Sequence, residues 1–552
     1  MLNLNSNKIA FFNALTAPIF YVLLLTFWSG FFFSFSFSSS SLYSDEVFLV
    51  FRSGVHLFDH WVDVFVGPVG ASFKGWENGR FITPVLHLFG TVGLWLTFWF
   101  SEFFGVDLLT AYGFGRSSAF ALSTTSIVYF VWTFLPGFLS SRLRILLTSL
   151  SGPLILSTMV TNSLYSSMRA NPWTYTIVLA IIFVLFSIVA SSARSIALGN
   201  SRPFTYLKLG LCGFLFGTTY EFTQVMGPIA VLVFVLVFAT ERRPLFGFKK
   251  SLKSAVLNWG VVTLFLSFVV PFALVRVRNF LVCAETVCYA PANVDVAGIA
   301  PGTVAGRILS SFPPFSISFG LEQQPDFWRQ PQNYFEILGL VILFSLPTLA
   351  LVFYLLPKVR LEIVEKRRFV LQSGFYLGLL GMSMSLILAL GISSSQHFQE
   401  QGALGLGESH VDTFGQNVAH SVFYLGLAII ILAWLSRFLV PYRSFGLLVI
   451  FVAGLFSSAA FLSNLVTTQT SQAAPGVFLQ QRFASELLKP DLSAEGAEYR
   501  CALVERKLRD FAEWEGHDRF LVAGLEGVML HKYDIPFCNL EVEFLFQNYR
   551  GS

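Results

Sequence analysis

The chain has 552 residues, of which 54% are hydrophobic and only 12% are charged, and its mean hydropathy is positive. Soluble globular domains carry about 25% charged residues, so this composition excludes the soluble fold classes. Apolar runs of about 20 residues, enough to cross a bilayer, recur from end to end. The predicted fold class is an all-α polytopic membrane protein. The net charge of +4 comes without a basic soluble module, so no nucleic-acid partner is expected.

About eleven transmembrane helices are predicted, near 10–37, 82–105, 117–139, 173–191, 206–222, 225–240, 256–278, 335–356, 369–392, 420–436 and 445–465. Basic residues cluster in the connections 242–253, 358–368 and 437–443, which the positive-inside rule assigns to the cytoplasm. The expected protein is therefore a multi-pass cell-membrane protein with a cytoplasmic N-terminus. Its external parts are the loops 38–81, 279–334 and 391–420 and the C-terminal tail.

Two external segments have further structure in this scheme. Residues 47–66 mix apolar and charged side chains, which is typical of interfacial helices. Residues 140–172 contain the apolar stretch Ile145 to Ser157, interrupted by Gly152 and Pro153. We interpret this region as a re-entrant segment on the external side, because a twelfth span would invert every segment before it. That interpretation leaves Arg142 and Arg144 outside, against the charge bias.

The composition changes after residue 465, so a transmembrane domain, 1–465, and a small external α/β domain, 466–552, are predicted. The tail has the helical period of Glu498 to Trp514 and three short strand-like runs, at 519–522, 528–531 and 541–546. The pairs Cys283/Cys288 and Cys501/Cys538 both fall on the external side, where they could be disulfides or free thiols.

The acidic pair Asp45-Glu46 follows the first apolar run and the serine tract 38–41. One interpretation is structural: Ser44 caps a helix, and the two acids sit in its first turn, where the helix dipole favours them. The other is catalytic, with a carboxylate at the membrane boundary acting as general base for an acceptor hydroxyl. The two interpretations are compatible.

Other polar residues stand at predicted span ends on the external side. Glu77 and Arg80 precede the second span, either as interfacial anchors or as contacts for phosphate and hydroxyl groups. Tyr220 and Glu221 lie between two apolar runs, where a glutamate is costly unless it is paired or faces a polar cavity.

The loops supply the remaining candidates. Arg307 and Arg329 belong to the 279–334 loop, whose positive charge could neutralise a lipid-phosphate leaving group. Asn162 and Tyr165 lie before the 173–191 span. Histidines and carboxylates between 397 and 412 could bind metal, although solvation explains them as well. No cofactor is certain, and a divalent metal stays open.

Together these features resemble the GT-C superfamily of polyprenyl-phosphate-sugar-dependent membrane glycosyltransferases. The acidic pair follows a first span, an amphipathic external loop comes next, and seven spans precede Asn279. Trp76 to Phe81 resembles the W-x-x-G-R-F segment of bacterial glucosyl-transferase-like and teichoic-acid-glycosylation-like members. Asn162 to Tyr175 and Glu221 resemble further segments of theirs. The pair is Asp-Glu rather than Asp-Asp, and the tail lacks the aromatic–aspartate motif of oligosaccharyltransferases.

The resemblance implies an inverting transfer of one sugar from a polyprenyl-phosphate donor to an external glycan, lipid or protein acceptor. Asp45 would deprotonate the acceptor hydroxyl, and Glu46 would orient substrate or share that role. Arg80, Arg307 and Arg329 would stabilise the departing phosphate. The remaining substrate contacts would come from Glu221, Tyr220, Glu77, Asn162 and Tyr165.

Two other function classes fit parts of the pattern. A surface-polysaccharide polymerase or ligase would share the many spans and long external loops, and would act with external arginines and a histidine. A transporter would keep charged residues at the bilayer midplane, often in two related halves. No internal repeat is visible, and the polar residues gather on one predicted side, which disfavours a transporter.

Overall fold

A computed structural model describes most of the central part of the chain. The described residues are 96–97, 99–158, 176–219, 221–285, 295–313, 315–317, 335, 339, 350, 354–395, 399, 413–435, 455, 459–460, 462, 486, 490–510, 526, 529–530 and 533–538. The predicted first span, the interfacial helices of the 38–81 loop and most of the 335–356 and 445–465 spans lie outside these residues.

The described residues are mostly helical, and no strand occurs among them. The helices are α1 Leu108–Phe134, α2 Ser141–Ser149, α3 Ser151–Thr158, α4 Ile177–Ala197, α5 Pro203–Thr218, α6 Glu221–Phe246, α7 Phe248–Val256, α8 Trp259–Glu285, α9 Pro301–Ser310, α10 Arg367–Ser393, α11 Thr413–Leu435 and α12 Ala494–Asp510. Residues 354–365 form another helix before α10. Five helices of this part of the chain, α4, α6, α8, α10 and α11, contain stretches long and apolar enough to cross a membrane. The chain is thus a helical membrane protein.

The bundle is organised around α6. Within its apolar stretch 78% of the residues are buried, against 22% in that of α8, which lies at the periphery. The core is built from aliphatic side chains and phenylalanines such as Phe130, Phe183 and Phe186, whose ring centroids lie 5.5 to 5.7 Å apart. Many of the 63 phenylalanines therefore serve interhelical packing.

Helix α1 begins at a tight turn. Gly105 has a positive φ of 62°, and the Asp107 carboxylate caps α1 by accepting the N–H of Thr110 at 2.9 Å. The helical residues before the turn run back along α1, since the rings of Phe100 and Phe114 stack 5.0 Å apart. Only a short turn therefore separates the two helices, where the sequence had predicted a connection over 106–116.

Helices α1 and α4 run parallel. Arg194, in the last turn of α4, donates to the carbonyl oxygens of Thr133 and Leu135 at the end of α1. Two parallel helices in succession require the chain between them, residues 135–176, to return across the bundle. The broken pair α2 and α3 makes at least part of this return.

This geometry corrects the predicted re-entrant segment. The N–H of Ser140 donates to Glu362 at 2.8 Å, and Lys366 Nζ donates to the carbonyl oxygen of Phe138 at 2.6 Å. Residue 140 therefore lies at the same end as the 358–368 connection, and the prediction that placed the two on opposite sides is wrong. Gly152 and Pro153 lie in the first turn of α3, directly after the break between α2 and α3 at Leu150.

Basic residues of four segments lie together at one end of the bundle. Arg144 stacks 4.1 Å above the ring of Trp132, near the end of α1, and Arg242 donates to the carbonyl oxygen of Ala197 at 3.2 Å. We call this the basic end; it comprises residues 132–144, 194–208, 241–259 and 354–372. The opposite end, which we call the far end, comprises Asp107, the start of α6, the end of α8, residues 295–313, the end of α10 and the start of α11.

Glycines allow two helix pairs to approach closely. A Cβ added at Gly426 of α11 would lie 2.3 Å from the backbone nitrogen of Gly378 in α10, and one at Gly213 of α5 would lie 2.5 Å from the carbonyl oxygen of Leu264 in α8. Only a residue without a Cβ fits such backbone contacts. The close approach of α10 to α11, and of α5 to α8, therefore depends on these glycines.

Two predictions for the tail have opposite outcomes. Cys501 and Cys538 form a disulfide, as the first of the two alternatives for this pair expected. Met529 and Leu530, however, are helical, so the predicted strand at 528–531 is wrong there. A run of three apolar residues does not distinguish a strand from a helical turn. The other two predicted strands and Cys288 lie outside the described residues, and of Cys283 only the backbone, at the end of α8, is described.

Candidate functional site

Several helices converge at the far end around the start of α6. Phe222 packs against Gly415 of α11, and Val225 packs against Gly391 of α10. Glu221 is the first residue of α6, so its backbone lies at this convergence. Both neighbouring glycines leave room for the apolar side chains of α6, which places the start of this helix between α10 and α11.

Helix α8 contributes an arginine to the same end. The guanidinium of Arg276 donates from Nη2 to Oε1 of Gln224 at 3.1 Å and lies 5.4 Å above the ring of Phe272. Gln224 stands one helical turn after Glu221. A fixed cation is therefore held within reach of the first turn of α6.

The segment before α9 is attached to the end of α10. The N–H of Asp295 donates to the carbonyl oxygen of Ser394 at 2.8 Å. The side-chain amide of Gln399 donates to the carbonyl oxygens of Asp295 and Ser393, at 2.7 and 2.9 Å. These bonds satisfy backbone oxygens that end α10, and they bring α9 over the far end.

Arg307 lies in the last turn of α9 and is only 2% exposed. The sequence predicted that Arg307 is a basic residue of an external loop, and the side chain of such a residue is ordinarily solvated. Burial of a guanidinium requires polar partners or a buried counter-charge, because an isolated cation is expensive to remove from water. Arg307 is therefore part of the packed structure that joins α9 to α10 and α11.

A buried polar network joins α10, α11 and the end of α9. His420 Nδ1 lies 3.0 Å from the carbonyl oxygen of Ser311, and Nε2 lies 3.2 Å from Oγ of Ser385. Gln416 accepts the Ser385 hydroxyl and donates to the Ser385 carbonyl oxygen at 2.9 Å. His420 and Gln416 are both fully buried. We call these four residues the His420 network.

Aromatic contacts reinforce the His420 network. The ring of Phe312 meets the His420 imidazole edge-on at 5.0 Å, and Tyr424 donates its hydroxyl to the carbonyl oxygen of Pro313 at 2.8 Å. Residues 311–313 are thus bound to α11 through three side chains. The network fixes the segment that follows Arg307.

The tail reaches the same end of the bundle. Burial raises the pKa of the Tyr533 hydroxyl, and the nearby charge of Asp107 at the start of α1 raises it further. Within the tail, the buried Arg500 donates from Nε to the carbonyl oxygen of Phe537 at 2.9 Å, next to the disulfide at Cys538. The disulfide thus belongs to the tail, whose Tyr533 lies near Asp107 at the start of α1.

Most of the residues predicted for the site cannot be compared with the structure. Outside the described residues lie Asp45, Glu46, Glu77, Arg80, Asn162, Tyr165, Tyr220 and Arg329. Of Glu221 only the backbone is described. Arg307 is the one predicted site residue whose side chain is placed. Within the described residues, no three histidines, cysteines or carboxylates gather as a metal site would require.

The sequence patterns did not predict a site role for Gln416, His420 or Ser385. It assigned residues 391–420 to a loop, whereas α11 begins at Thr413. Polar residues lowered the local hydropathy, so the span seemed to start at 420. The spacing of Gln416 and His420, four residues apart, was an available signal, because such a pair shares one helix face. Arg276 was not among the predicted site residues either.

Comparison with known proteins adds no assignment. No family model, no curated protein and no solved structure matches the chain.

Proposed function

We propose that this protein is a membrane glycosyltransferase that transfers a sugar from a polyprenyl-phosphate donor to an acceptor at the far end. The donor bears a negative phosphate at the membrane surface, and the acceptor is an envelope glycan, lipid or protein. Catalysis would need cations for the departing lipid phosphate and a carboxylate to deprotonate the acceptor hydroxyl. No resident metal is needed for this chemistry, although a divalent ion could share the phosphate.

The observation that carries the proposal is the half-buried Arg276 at the far end. Its guanidinium is bonded to Gln224 in the first turns of α6. Arginine presents a planar fork of donors that suits phosphate oxygens. A guanidinium at the end of the bundle that carries the long loop supports a role in binding an anionic lipid headgroup.

The number of crossings bears on which carboxylate is the base. The helical residues 99–104 lead toward Asp107 at the far end. If 82–105 is a single crossing, the loop 38–81 and Asp45 begin at the basic end, and Glu221 is the carboxylate at the site. If 38–105 crosses an even number of times, Asp45 faces the far end, as the resemblance implies. Each arrangement makes a different residue essential.

We also propose that the far end is external and the basic end cytoplasmic. The basic end collects Arg142, Arg144, Arg242 and Arg243 together with the 249–253 and 358–368 basic groups, which the positive-inside rule favours in the cytoplasm. The disulfide Cys501–Cys538 belongs to the tail near Asp107, and disulfides persist in oxidising compartments. The two signals agree on one orientation of the cell-membrane protein.

The test is turnover of labelled polyprenyl-phosphate sugars by the purified protein, measured as released lipid phosphate. Arg276→Gln should lower kcat by about 100-fold, in the range for loss of one group that stabilises transition-state charge. Arg360→Gln, at an exposed arginine of the basic end, is the matched control and should keep activity. Wild-type protein without turnover on any such donor would reject the proposal.

The base is identified by a pair of variants in the same assay. Glu221→Gln should abolish turnover and Asp45→Asn should spare it if 82–105 crosses once. The reverse result is expected if Asp45 faces the far end. Labelling of a Ser44→Cys variant by a membrane-impermeant maleimide reports the location of the pair independently of activity. Full activity in both carboxylate variants would exclude a base at either position.

A polysaccharide polymerase or ligase is the second candidate. It is favoured by one observation, the burial of His420 beside the segment that follows Arg307. An enzyme of that class would lose activity in Arg307 and His420 variants while Asp45→Asn and Glu221→Gln remained active. The same set of variants therefore separates the two candidates.

A further inference from the structure

We propose that helix α7 and the start of α8 form a binding surface for anionic phospholipid headgroups. This surface, which we call the α7 surface, consists of Lys249, Lys250, Lys253, Leu257 and Trp259. It lies at the basic end, away from the candidate site, and does not depend on the proposed function.

The backbone lays α7 across the end of the bundle. Helix α6 ends at Gly247, whose positive φ of 73° turns the chain, and whose N–H donates to the carbonyl oxygen of Arg243 at 3.0 Å. Ser251 and Ala255 are fully buried and form the inner face of α7. Lys249, Lys250 and Lys253 are exposed. A nine-residue helix with this division is amphipathic, as interfacial helices are.

An exposed apolar surface continues from α7 along α5 and α8. Leu257 is 70% exposed and Trp259 75%, and on α5 Phe204 and Leu207 are exposed by 62% and 65%. The two helices pack closely through Gly213, so their exposed faces adjoin. Large apolar side chains at this density suit the hydrocarbon of a bilayer, and a tryptophan at the helix start suits its boundary. The lysines of α7 therefore stand at headgroup level.

The charge around the α7 surface is unbalanced. Residues 198–258 contain two carboxylates, Glu221 at the far end and Glu241, which is buried in an ion pair with Arg194. The same stretch holds seven basic residues: Arg202, Lys208, Arg242, Arg243, Lys249, Lys250 and Lys253. Lys208 extends along its own helix, with Nζ 4.8 Å from the centroid of the Phe204 ring. A negatively charged headgroup is the complementary partner.

The partner is therefore an anionic phosphoglyceride, bound by its phosphate at the lysines and by its acyl chains along α5 and α8. Juxtamembrane lysines each strengthen binding to anionic lipid about fivefold, since the interaction is about 1 kcal/mol per charge. Three lysines on one helix are then enough to select anionic from zwitterionic lipid by more than tenfold. The preference should weaken at high salt, because the headgroups are reached by water.

The experiment measures binding of spin-labelled phosphatidylglycerol relative to phosphatidylcholine by the full-length protein in nanodiscs. The test variant is Lys249→Gln/Lys250→Gln/Lys253→Gln. The control is Lys358→Gln/Arg360→Gln/Arg368→Gln, which removes three exposed basic residues from another connection of the same end. Thermal unfolding midpoints verify that both variants are folded.

We expect the phosphatidylglycerol preference to fall more than tenfold in the α7 variant and less than twofold in the control. An unchanged preference in the α7 variant, or an equal loss in both variants, would overturn the proposal. Competition with polyprenyl monophosphate identifies the source of the headgroup. Preferential displacement of phosphatidylglycerol from this surface by polyprenyl monophosphate would also overturn the assignment to phospholipid.

Discussion

The two ends of the bundle are held together by different chemistry. At the basic end, Glu241 forms an ion pair with Arg194 at 2.7 Å, and Glu362 forms one with Lys366 at 2.9 Å. At the far end, the His420 network consists of neutral side chains and backbone oxygens. Both ends attach a connection to the bundle, residues 135–140 in one case and residues 311–313 in the other.

The difference has an energetic consequence. A buried charge that loses its partner is much more costly than a neutral group that loses one hydrogen bond. The attachment of residues 135–140 at the basic end is therefore more sensitive to single substitutions than the attachment of residues 311–313 at the far end. The far end can change its hydrogen bonds at smaller cost, which is compatible with a site that must admit a substrate.

The largest effect is expected from Glu241→Ala. The substitution removes the carboxylate from Arg194 and from the N–H of Gly137, which donates to it at 2.7 Å. Loss of one member of a buried pair costs about 3–5 kcal/mol. The thermal unfolding midpoint in detergent should fall steeply. Glu365→Ala, at an exposed glutamate of the same end, is the control and should leave the midpoint nearly unchanged.

A smaller loss of stability is expected at the contact between α10 and α11, which both run from one end of the bundle to the other. Gly426→Ala places a Cβ against the backbone of Gly378 and Gly374, which cannot yield as a flexible side chain would. Overpacking of this kind costs about 1–3 kcal/mol. Gly378→Ala is the matched control, because its Cβ would meet nothing within 4 Å. Equal midpoints for the two variants would contradict the packing described for this pair.

Substitution in the neutral network should cost less than the loss of Glu241. His420→Leu leaves the Ser311 carbonyl oxygen and the Ser385 hydroxyl without the imidazole, and we expect about 1–2 kcal/mol from these two bonds. The comparison of midpoints for His420→Leu and Glu241→Ala is the informative quantity. A larger loss for His420→Leu would reverse the proposed difference between the ends.

The smallest effect concerns Glu362 and depends on pH. Burial alone would raise the pKa of this carboxyl, but hydrogen bonds from the Ser140 hydroxyl and N–H and from Lys366 outweigh it and lower the pKa below its ordinary value of 4.5. Its contribution to stability is therefore present above pH 4.5 and is lost as the pH falls through the lower folded value.

Solvent screening keeps the contribution of Glu362 below about 1 kcal/mol. The midpoints of wild-type protein and Glu362→Ala should differ slightly at pH 7 and converge as the solution is acidified below 4.5. A midpoint difference that grows on acidification would contradict the lowered pKa of Glu362.

The sequence predicted the helical class and the positions of the five spans found at α4, α6, α8, α10 and α11, because hydropathy reports length and polarity directly. It could not assign residues 135–158, since the broken apolar stretch Ile145 to Ser157 fits either part of a crossing or a re-entrant segment. The contact of Ser140 with Glu362 distinguishes the two, and no local pattern encodes a contact over that separation. The re-entrant interpretation placed Arg142 and Arg144 outside, against the charge bias. This was the one feature of the sequence that argued against it.

The candidate site was predicted less completely than the fold. Arg307 was singled out for its charge, but its burial depends on α9 packing against α10 and α11. Gln416 was assigned to the preceding loop and His420 to the end of the predicted span, because polar residues are expected at the membrane edge. Their hydrogen bonds to Ser385 and Ser311 satisfy them inside the bundle, and these partners come from other helices.

The most direct test of the two-ended arrangement is cysteine labelling in intact cells with a membrane-impermeant maleimide. Ser141→Cys at the basic end and Val296→Cys at the far end both replace exposed residues. If the far end is external, Val296→Cys is labelled from outside and Ser141→Cys reacts only after the membrane is permeabilised. Labelling of both positions from the same side would contradict the two-ended arrangement.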